Sequence, residues 1–404
     1  MEVANIMKKK FGISNDMATG KIAILFWAIA MGVIARFFVM TFGHNFDFES
    51  YKIVGEIVSQ GGNVYAETSR YNYGFIFSLI QGIGYKITAI VNIEAVDWMY
   101  RGYIVSVLTL ADIGISCWLY KNYSIKEALF FLLNPISIII TGYHNQFDNI
   151  AVLFALLAIN YVDEETDRLT KKDFIAIVML SLSLLTKHII CVFFGWLLIR
   201  KTKKQSIIKR LCYVFIPPVM FLLSFIPFIY KNEDALSGVI NNVFLYRSYN
   251  NYPIFRLIFE IISVPDEKYF VIYILIMIAL GILFKNYNFK DLLMIYLVAM
   301  VAFSSAIANQ YLVIPIVALV VNRRKKYFLL YEFIGLIYCL LNKNELHLKN
   351  NILYHYPNFE WLLEFLSNEG GYMITFMALV LAVFLIENFI HRHKTNLYKS
   401  ERAV

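Results

Sequence analysis

Two short stretches of the chain carry most of the side chains that could take part in chemistry. In the first, His44 to Tyr51, the carboxylates Asp47 and Glu49 stand two residues apart, directly after a long apolar run. Partial desolvation at a membrane surface makes a carboxylate more basic, so both are candidate catalytic residues, with Asp47 as the general base. The structural alternative is that Asp47 caps the following helix and Glu49 stabilises the positive end of its dipole.

The second stretch lies between two apolar runs and follows Asn134 and Pro135. From residue 143 to residue 149 it reads Tyr-His-Asn-Gln-Phe-Asp-Asn, in which every side chain except phenylalanine can form a hydrogen bond. A turn alone needs only one or two polar residues, so we expect this turn to bind a polar substrate, with turn formation and helix capping as the alternative. The candidate substrate-binding residues here are His144, Gln146, Asp148 and Asn149.

A third candidate, Lys187 beside His188, separates two short apolar segments, 174–186 and 189–199. A cation at membrane depth is costly without a partner, so a functional role is the first interpretation for Lys187. Its partner is either a substrate phosphate or an internal carboxylate, and both stay open. Interrupted short segments are typical of helices that reach a polar cavity.

Other polar side chains extend the candidate set. Arg247 and Arg256 lie in a predicted outer loop with several tyrosines, where their alternative role is to anchor the chain at the membrane surface. Two charged residues fall inside apolar runs: Arg36 is able to snorkel to the surface, and Asp112 needs a structural or catalytic partner. The remaining candidate substrate-binding residues are Tyr71, Tyr73, His188 and Gln310.

Motifs of the common cofactor and metal sites are missing from the sequence. It contains no Walker motif, no glycine-rich dinucleotide fingerprint and no zinc-protease helix. The four cysteines are spaced neither for a zinc site nor for a disulfide framework. No cofactor is assigned, but a divalent metal stays open, because Asp47 and Glu49 would share one face of an extended loop.

The elements that position these residues must lie in lipid. Of 404 residues, 59% are hydrophobic and 16% charged, whereas a soluble domain carries about a quarter charged residues. Long apolar runs recur from end to end, so residues 1–404 are predicted to form one all-α polytopic membrane domain with about twelve transmembrane helices. The predicted spans are residues 22–42, 101–120, 127–142, 149–161, 174–186, 189–199, 211–230, 269–284, 291–306, 311–321, 327–342 and 371–390.

The placement of basic residues predicts the orientation of these spans. Most of the 37 lysines and arginines fall in segments that lie inside if both termini are cytoplasmic. The outer segments are then residues 43–100, 143–148, 187–188, 231–268, 307–310 and 343–370.

Residues 74–91 are long enough to span, but counting them would place the basic run 200–210 outside. They also carry a polar stripe at three- and four-residue steps, which is typical of a helix lying in the membrane interface. The first outer loop, 43–100, is therefore predicted to contain amphipathic interfacial helices. The stripe consists of Ser78, Gln81, Tyr85, Thr88 and Asn92.

The order of these motifs resembles that of the GT-C glycosyltransferase superfamily. Asp47-Phe48-Glu49 is similar to the Asp-Tyr-Glu triplet after the first membrane helix of the dolichyl-phosphate-glucose glucosyltransferases. The turn at 144–149, after an Asn-Pro pair, resembles their His-Phe-Gln-Tyr-Asn motif, although Asn145 replaces the Phe. Residues 63–73 and the Gln310-Tyr311 pair resemble motifs of the first mannosyltransferase of GPI-anchor assembly, in which a second Asp stands at the place of Glu49.

This resemblance implies an inverting transfer. An outward Asp47 deprotonates an acceptor hydroxyl, which attacks the anomeric carbon of a sugar, a hexose, on a polyprenyl-phosphate carrier. The implied partners are this donor, a lipid-linked glycan or other cell-surface acceptor, and membrane lipids, with no nucleic acid. Cations such as Lys187 or Arg247 would stabilise the leaving phosphate.

The orientation supports the same donor. Nucleotide sugars are made in the cytoplasm, so a site on the outer face of a bacterial cytoplasmic membrane needs a sugar already carried across on lipid. Two other functions stay open: a transporter or flippase of a lipid-linked oligosaccharide, which broken helices also suit, and a polymerase of such oligosaccharides.

Labelling of single cysteines with an impermeant thiol reagent on intact cells checks this topology. A cysteine at Asn63 is expected to be labelled, because loop 43–100 faces out, whereas a cysteine at Lys203 is expected to be protected. Labelling at 203 but not at 63 would overturn the orientation.

Overall fold

The structure is a computed structural model that describes residues 15–91, 96–202, 206–246, 252–262, 265, 268–322, 324–341 and 370–401. Within these residues all regular secondary structure is helical and none is strand, which confirms the predicted all-α class. The helices are α1 (Asn15–Met40), α2 (Phe46–Ser59), α3 (Val64–Glu67), α4 (Phe75–Val91), α5 (Val96–Asn122), α6 (Ile125–Leu132), α7 (Pro135–Ile139), α8 (Asp148–Ile159), α9 (Lys171–Thr186), α10 (Phe193–Ile199), α11 (Ile207–Leu223), α12 (Ile226–Ile229), α13 (Glu233–Gly238), α14 (Arg256–Ile262), α15 (Tyr269–Leu283), α16 (Phe289–Ala302), α17 (Ile316–Val321), α18 (Lys325–Leu341) and α19 (Gly370–Glu401). Short π-helical turns cover Ile140–His144 and Val239–Phe244, and 3-10 turns cover His188–Ile190 and Asn309–Val313.

Four helical stretches in the described part of the chain are long and apolar enough to cross a membrane. Two bent pairs raise this number to six if each pair counts as one span. Three of the other predicted spans fall on shorter apolar helical stretches, namely α8, α15 and Asn309–Val321. The four long stretches are Gly20–Met40, Asp97–Asn122, Ile207–Ile229 and Gly371–Arg392.

Both bends have a local cause. Between α6 and α7 the axis turns by 44°, because Pro135 begins the new helix and the Asn134 side chain caps it by accepting from the Ser137 amide at 2.9 Å. At Lys187 the backbone is extended and ends α9, and the chain resumes at an angle of 110°. The interruption predicted at Lys187 and His188 is thus a sharp bend between two apolar helices.

The polar stripe of α4 faces protein rather than water. Ser78, Gln81 and Thr88 are buried, and α4 packs closely on α2 and α5. A Cβ on Gly82 would come within 2.4 Å of Val58 Cγ1, so only glycine allows the approach to α2. Ser78, Gln81 and Thr88 therefore pack inward, and Asn92, the last residue of the stripe, lies outside the described residues. The exposed side of α4 is instead apolar and consists of Leu79, Ile83, Ile87, Ile90 and Val91.

A buried ion pair joins α1 to α5. The Arg36 guanidinium is fully buried, and its Nε donates to Asp112 Oδ2 at 2.8 Å. Its other donors reach the Gly32 and Leu132 carbonyls and the Ser137 hydroxyl, each at 3.0 Å. Snorkelling of Arg36 is therefore the wrong interpretation, since its charge is satisfied inside the protein.

Asp112 also binds both ends of the segment that joins α7 to the start of α8, residues 141–149, hereafter the polar turn. Thr141 Oγ1 donates to its Oδ2 at 2.7 Å, and Asn149 Nδ2 donates to its Oδ1 at 2.5 Å. Asp112 thus has the structural partner that the sequence left undecided. Asn149, a predicted substrate-binding residue, directs its amide nitrogen to this buried carboxylate.

Arg36→Met is expected to lower the melting temperature of the solubilised protein strongly, because removing one partner of a buried pair costs about 3–5 kcal/mol. Asp112→Leu is expected to have a similar effect, and the double variant to cost less than the sum of the two. Lys326→Met, at an exposed pair with Glu387, is the control and is expected to change little. Fully additive effects of the two single changes would contradict a coupled pair.

Candidate functional site

The separately predicted motifs come together in the fold. The turn Ile140–His144 contacts α1 and the turn Asn309–Val313, while α8 contacts the turn His188–Ile190. The side chain of Gln146 reaches from the polar turn to Asp47 at the start of α2. The start of α2, the polar turn and the bend at Lys187 therefore form one site.

Asp47 is not the cap of α2. The cap is Asn45, whose side-chain oxygen accepts from the Asp47 amide at 3.1 Å. This leaves the Asp47 carboxylate for other partners: its Oδ2 accepts from Gln146 Nε2 at 2.5 Å and from Asn45 Nδ2 at 3.3 Å. No residue described by the structure donates to Oδ1, and the side chain is only partly buried. One oxygen of Asp47 is anchored and the other is open.

The polar turn holds Gln146 in place. Its Oε1 accepts from the Tyr51 hydroxyl at 3.4 Å, and its backbone amide donates to the Ile140 carbonyl at 3.3 Å. Asn145, the residue before Gln146, has a left-handed backbone conformation with φ 56°. Asparagine tolerates this conformation better than phenylalanine does. His144, fully buried, receives a hydrogen bond from Asn45 at Nδ1 (3.2 Å). Tyr51, Asn45 and Asn145 are thus site residues that the sequence did not mark, since only their spatial partners reveal their roles.

Lys187 has an internal carboxylate as its partner. Its Nζ lies 2.6 Å from Asp148 Oδ2, and both side chains are buried. The same ammonium lies over the rings of Tyr73, Phe147 and Tyr311, at 5.1, 4.8 and 5.8 Å, which adds cation–π stabilisation. The sequence left a substrate phosphate and an internal carboxylate as alternative partners of Lys187. In the structure its partner is the internal carboxylate, Asp148. The pair is neutral overall.

Two aromatic side chains border this pair. The His188 ring is exposed and packs against Tyr73, with centroids 6.0 Å apart and planes at 25°. Burial, and secondarily the charge on Asp47, raise the pKa of the Tyr73 phenol well above its ordinary value. The same two causes raise the pKa of Tyr51. Both phenols therefore stay protonated, and the Tyr51 hydroxyl donates to Gln146.

Several predicted site residues have other partners. Tyr71 is buried, and its hydroxyl donates to the Gly74 carbonyl and accepts from the Ser78 amide, so it shapes its own loop. Glu49 lies 3.4 Å from Lys52 and 3.5 Å from His44. The Tyr71 hydroxyl is therefore engaged within its own loop, and Glu49 does not share the partners of Asp47.

Gln310 and Arg256, two predicted site residues from later in the sequence, lie in different parts of the structure. Gln310 is half-buried in the 3-10 turn that packs against the polar turn. Arg256 lies at the start of α14, with its guanidinium 4.6 Å from the ring centre of Tyr372 in α19. Arg247 lies outside the described residues. Gln310 is therefore next to the site, whereas Arg256 is packed against the last helix.

The described residues contain no group of three or more His, Cys, Asp or Glu side chains that could hold a metal ion. Asp47 and Glu49, the pair considered as metal ligands, have different neighbours. The chemistry open to this arrangement is proton transfer at Asp47 Oδ1 and hydrogen bonding by the side chains around it.

Comparisons of the chain with family models, curated proteins and solved structures find no match in any of the three. The fold defines a helical protein with several helices able to cross a membrane. Its function is therefore inferred from the site itself.

Lys187→Gln leaves Asp148 buried without its cation and is expected to lower the melting temperature, at a cost of about 3–5 kcal/mol. Adding Asp148→Asn removes the second charge and is expected to recover part of this loss. Thermal melts of the solubilised variants measure both effects, with Lys52→Gln, at a more exposed ion pair, as the control. An unchanged melting temperature for Lys187→Gln would show that the pair does not stabilise the fold.

Proposed function

We propose that this protein is an inverting membrane glycosyltransferase. It moves a sugar, a hexose, from a polyprenyl-phosphate carrier to a lipid-linked glycan or another cell-surface acceptor. It crosses the bacterial cytoplasmic membrane about twelve times, with both termini inside. The site that includes Asp47 opens on the outer face.

The observation that carries this proposal is the state of the Asp47 carboxylate. Its Oδ2 is anchored by two amide groups, from Gln146 and Asn45, while no described residue donates to Oδ1. Amide donors orient a carboxylate without neutralising its charge, whereas an ion pair would do both. Asp47 is therefore oriented and accessible, with one oxygen open, as a general base must be.

In the proposed reaction Asp47 Oδ1 accepts the proton of an acceptor hydroxyl. The resulting oxygen attacks the anomeric carbon of the donor from the side opposite the carrier, and a new glycosidic C–O bond forms. The bond from that carbon to the phosphate oxygen breaks, and the lipid phosphate leaves with the electron pair. Attack from the opposite face inverts the configuration at the anomeric carbon.

The neighbouring side chains suit a sugar. Tyr73 and His188 present aromatic surface next to the Lys187–Asp148 pair, and Gln310 supplies an amide for hydroxyl groups. Lys187 is bound to Asp148, so direct contact with a phosphate would require this pair to open. Lys187 therefore holds the site together in the resting protein.

Transport of a lipid-linked glycan is the second candidate, because one observation favours it. The helix pair around Lys187 bends by 110°, and broken helices line the substrate sites of many transporters. Transport alone, however, forms no bond and therefore gives the open oxygen of the anchored Asp47 carboxylate no role as a general base. The two functions differ in a simple measurement, since only a transferase forms a new glycosidic bond in detergent solution.

Asp47→Asn is expected to abolish sugar transfer while leaving the melting temperature nearly unchanged. The asparagine still accepts from Gln146, and the helix cap is Asn45, so the fold keeps its contacts. The variant can no longer accept a proton, and general base catalysis typically contributes about 100- to 10,000-fold to a rate. Transfer of radiolabelled sugar from a farnesyl-phosphate hexose by the purified protein measures the effect.

Glu49→Gln is the matched control, since it makes the same change two residues away, at a carboxylate paired with Lys52. It is expected to keep most of the transfer. A wild-type rate for Asp47→Asn would refute the mechanism. Absence of transfer by the wild-type protein, combined with passage of a labelled lipid-linked glycan across vesicle membranes, would favour transport.

A further inference from the structure

The guanidinium of Arg70 lies at the start of α2, next to the residue that precedes Asp47. It lies over the ring of Phe46, with Cζ 4.5 Å from the ring centre. Phe46 begins α2 immediately before Asp47 and is itself 67% exposed. The Arg70 backbone amide donates to Thr68 Oγ1 at 3.1 Å, but among the described residues its guanidinium forms neither a hydrogen bond nor an ion pair.

The other cations around Asp47 are already engaged. Lys52 is bound to Glu49 and Asp97, and Lys187 to Asp148. The Arg101 guanidinium donates to the Gly43 and Gly142 carbonyls, which joins the first outer loop to the polar turn. Arg70 therefore differs from these three in having all of its guanidinium donors available for a ligand.

An exposed phenylalanine beside an available guanidinium suits a lipid that bears a phosphate. The aromatic ring packs favourably against acyl or prenyl chains at the membrane surface. The planar guanidinium fork matches two phosphate oxygens and holds them through charge-assisted hydrogen bonds. A neutral lipid or a free sugar would leave these donors unused.

We infer that Arg70 binds the phosphate of the polyprenyl donor, with Phe46 packed against the first part of its lipid chain. This inference rests on the proposed function. It places the charge of the leaving phosphate next to the residue that precedes the base. Arg70 thereby replaces Lys187, whose charge is balanced by Asp148, as the cation that stabilises the leaving group.

Binding of farnesyl phosphate and of farnesol to the purified protein, in a maltoside detergent that contains no phosphate, tests this role. Arg70→Gln is expected to weaken farnesyl phosphate binding about tenfold or more, as for the loss of charge-assisted hydrogen bonds, and to leave farnesol binding unchanged. Arg70→Lys is expected to fall between the two, because it keeps the charge and loses the fork. Lys86→Gln is the control, since it removes one exposed charge from α4 in the same loop.

Equal losses for Arg70→Gln and Lys86→Gln would overturn the inference in favour of general surface charge. Loss of farnesol binding in Arg70→Gln would overturn it as well, because the role would then be packing. Phosphatidylglycerol is the second source of a lipid phosphate, and competition by it as strong as that by farnesyl phosphate would assign Arg70 to bulk lipid. The assay needs no transfer, and Asp47→Asn is expected to bind farnesyl phosphate normally, so failure here is separate from failure of the proposed reaction.

Discussion

The ion pair between Arg36 and Asp112 is the interaction on which the site depends. Both groups are fully buried, and removing two charges from water is expensive unless hydrogen bonds satisfy the remaining donors and acceptors. Here they do: the guanidinium also binds two backbone carbonyls and the Ser137 hydroxyl, and the carboxylate also binds Thr141 and Asn149. Because Thr141 and Asn149 stand at the two ends of the polar turn, one carboxylate fixes the turn against α1 and α5.

The turn held in this way connects the two halves of the site. Gln146 extends from it towards Asp47, and Asp148 extends from it towards Lys187. Between them, Phe147 stacks on Phe77 of α4, with centroids 3.7 Å apart and planes at 14°. A shift of the turn would therefore affect Asp47, the Lys187–Asp148 pair and the packing of α4 together.

The two carboxylates of the site have different electrostatic environments. Asp148 is buried, paired with an ammonium and surrounded by aromatic rings, so it contributes no net charge. Asp47 is partly exposed and is held by the side-chain amides of Gln146 and Asn45 rather than by a cation. The two carboxylates therefore differ in their partners, although both lie in motifs of similar composition.

The sequence alone determined the class of the protein and the position of its motifs. Apolar runs predict membrane helices because a helix that crosses lipid needs a continuous run of apolar residues. The break at Lys187 can be predicted as well, because a charged residue interrupts such a run at a single position in the sequence. Which motif residues are available for a ligand was decided only by the tertiary structure. Arg36 and Asp112 are 76 residues apart, and Asn149 was predicted to bind substrate yet binds Asp112 instead. Such pairings depend on how distant helices pack, because a polar side chain in a membrane protein takes whichever buried partner the fold brings within hydrogen-bond distance.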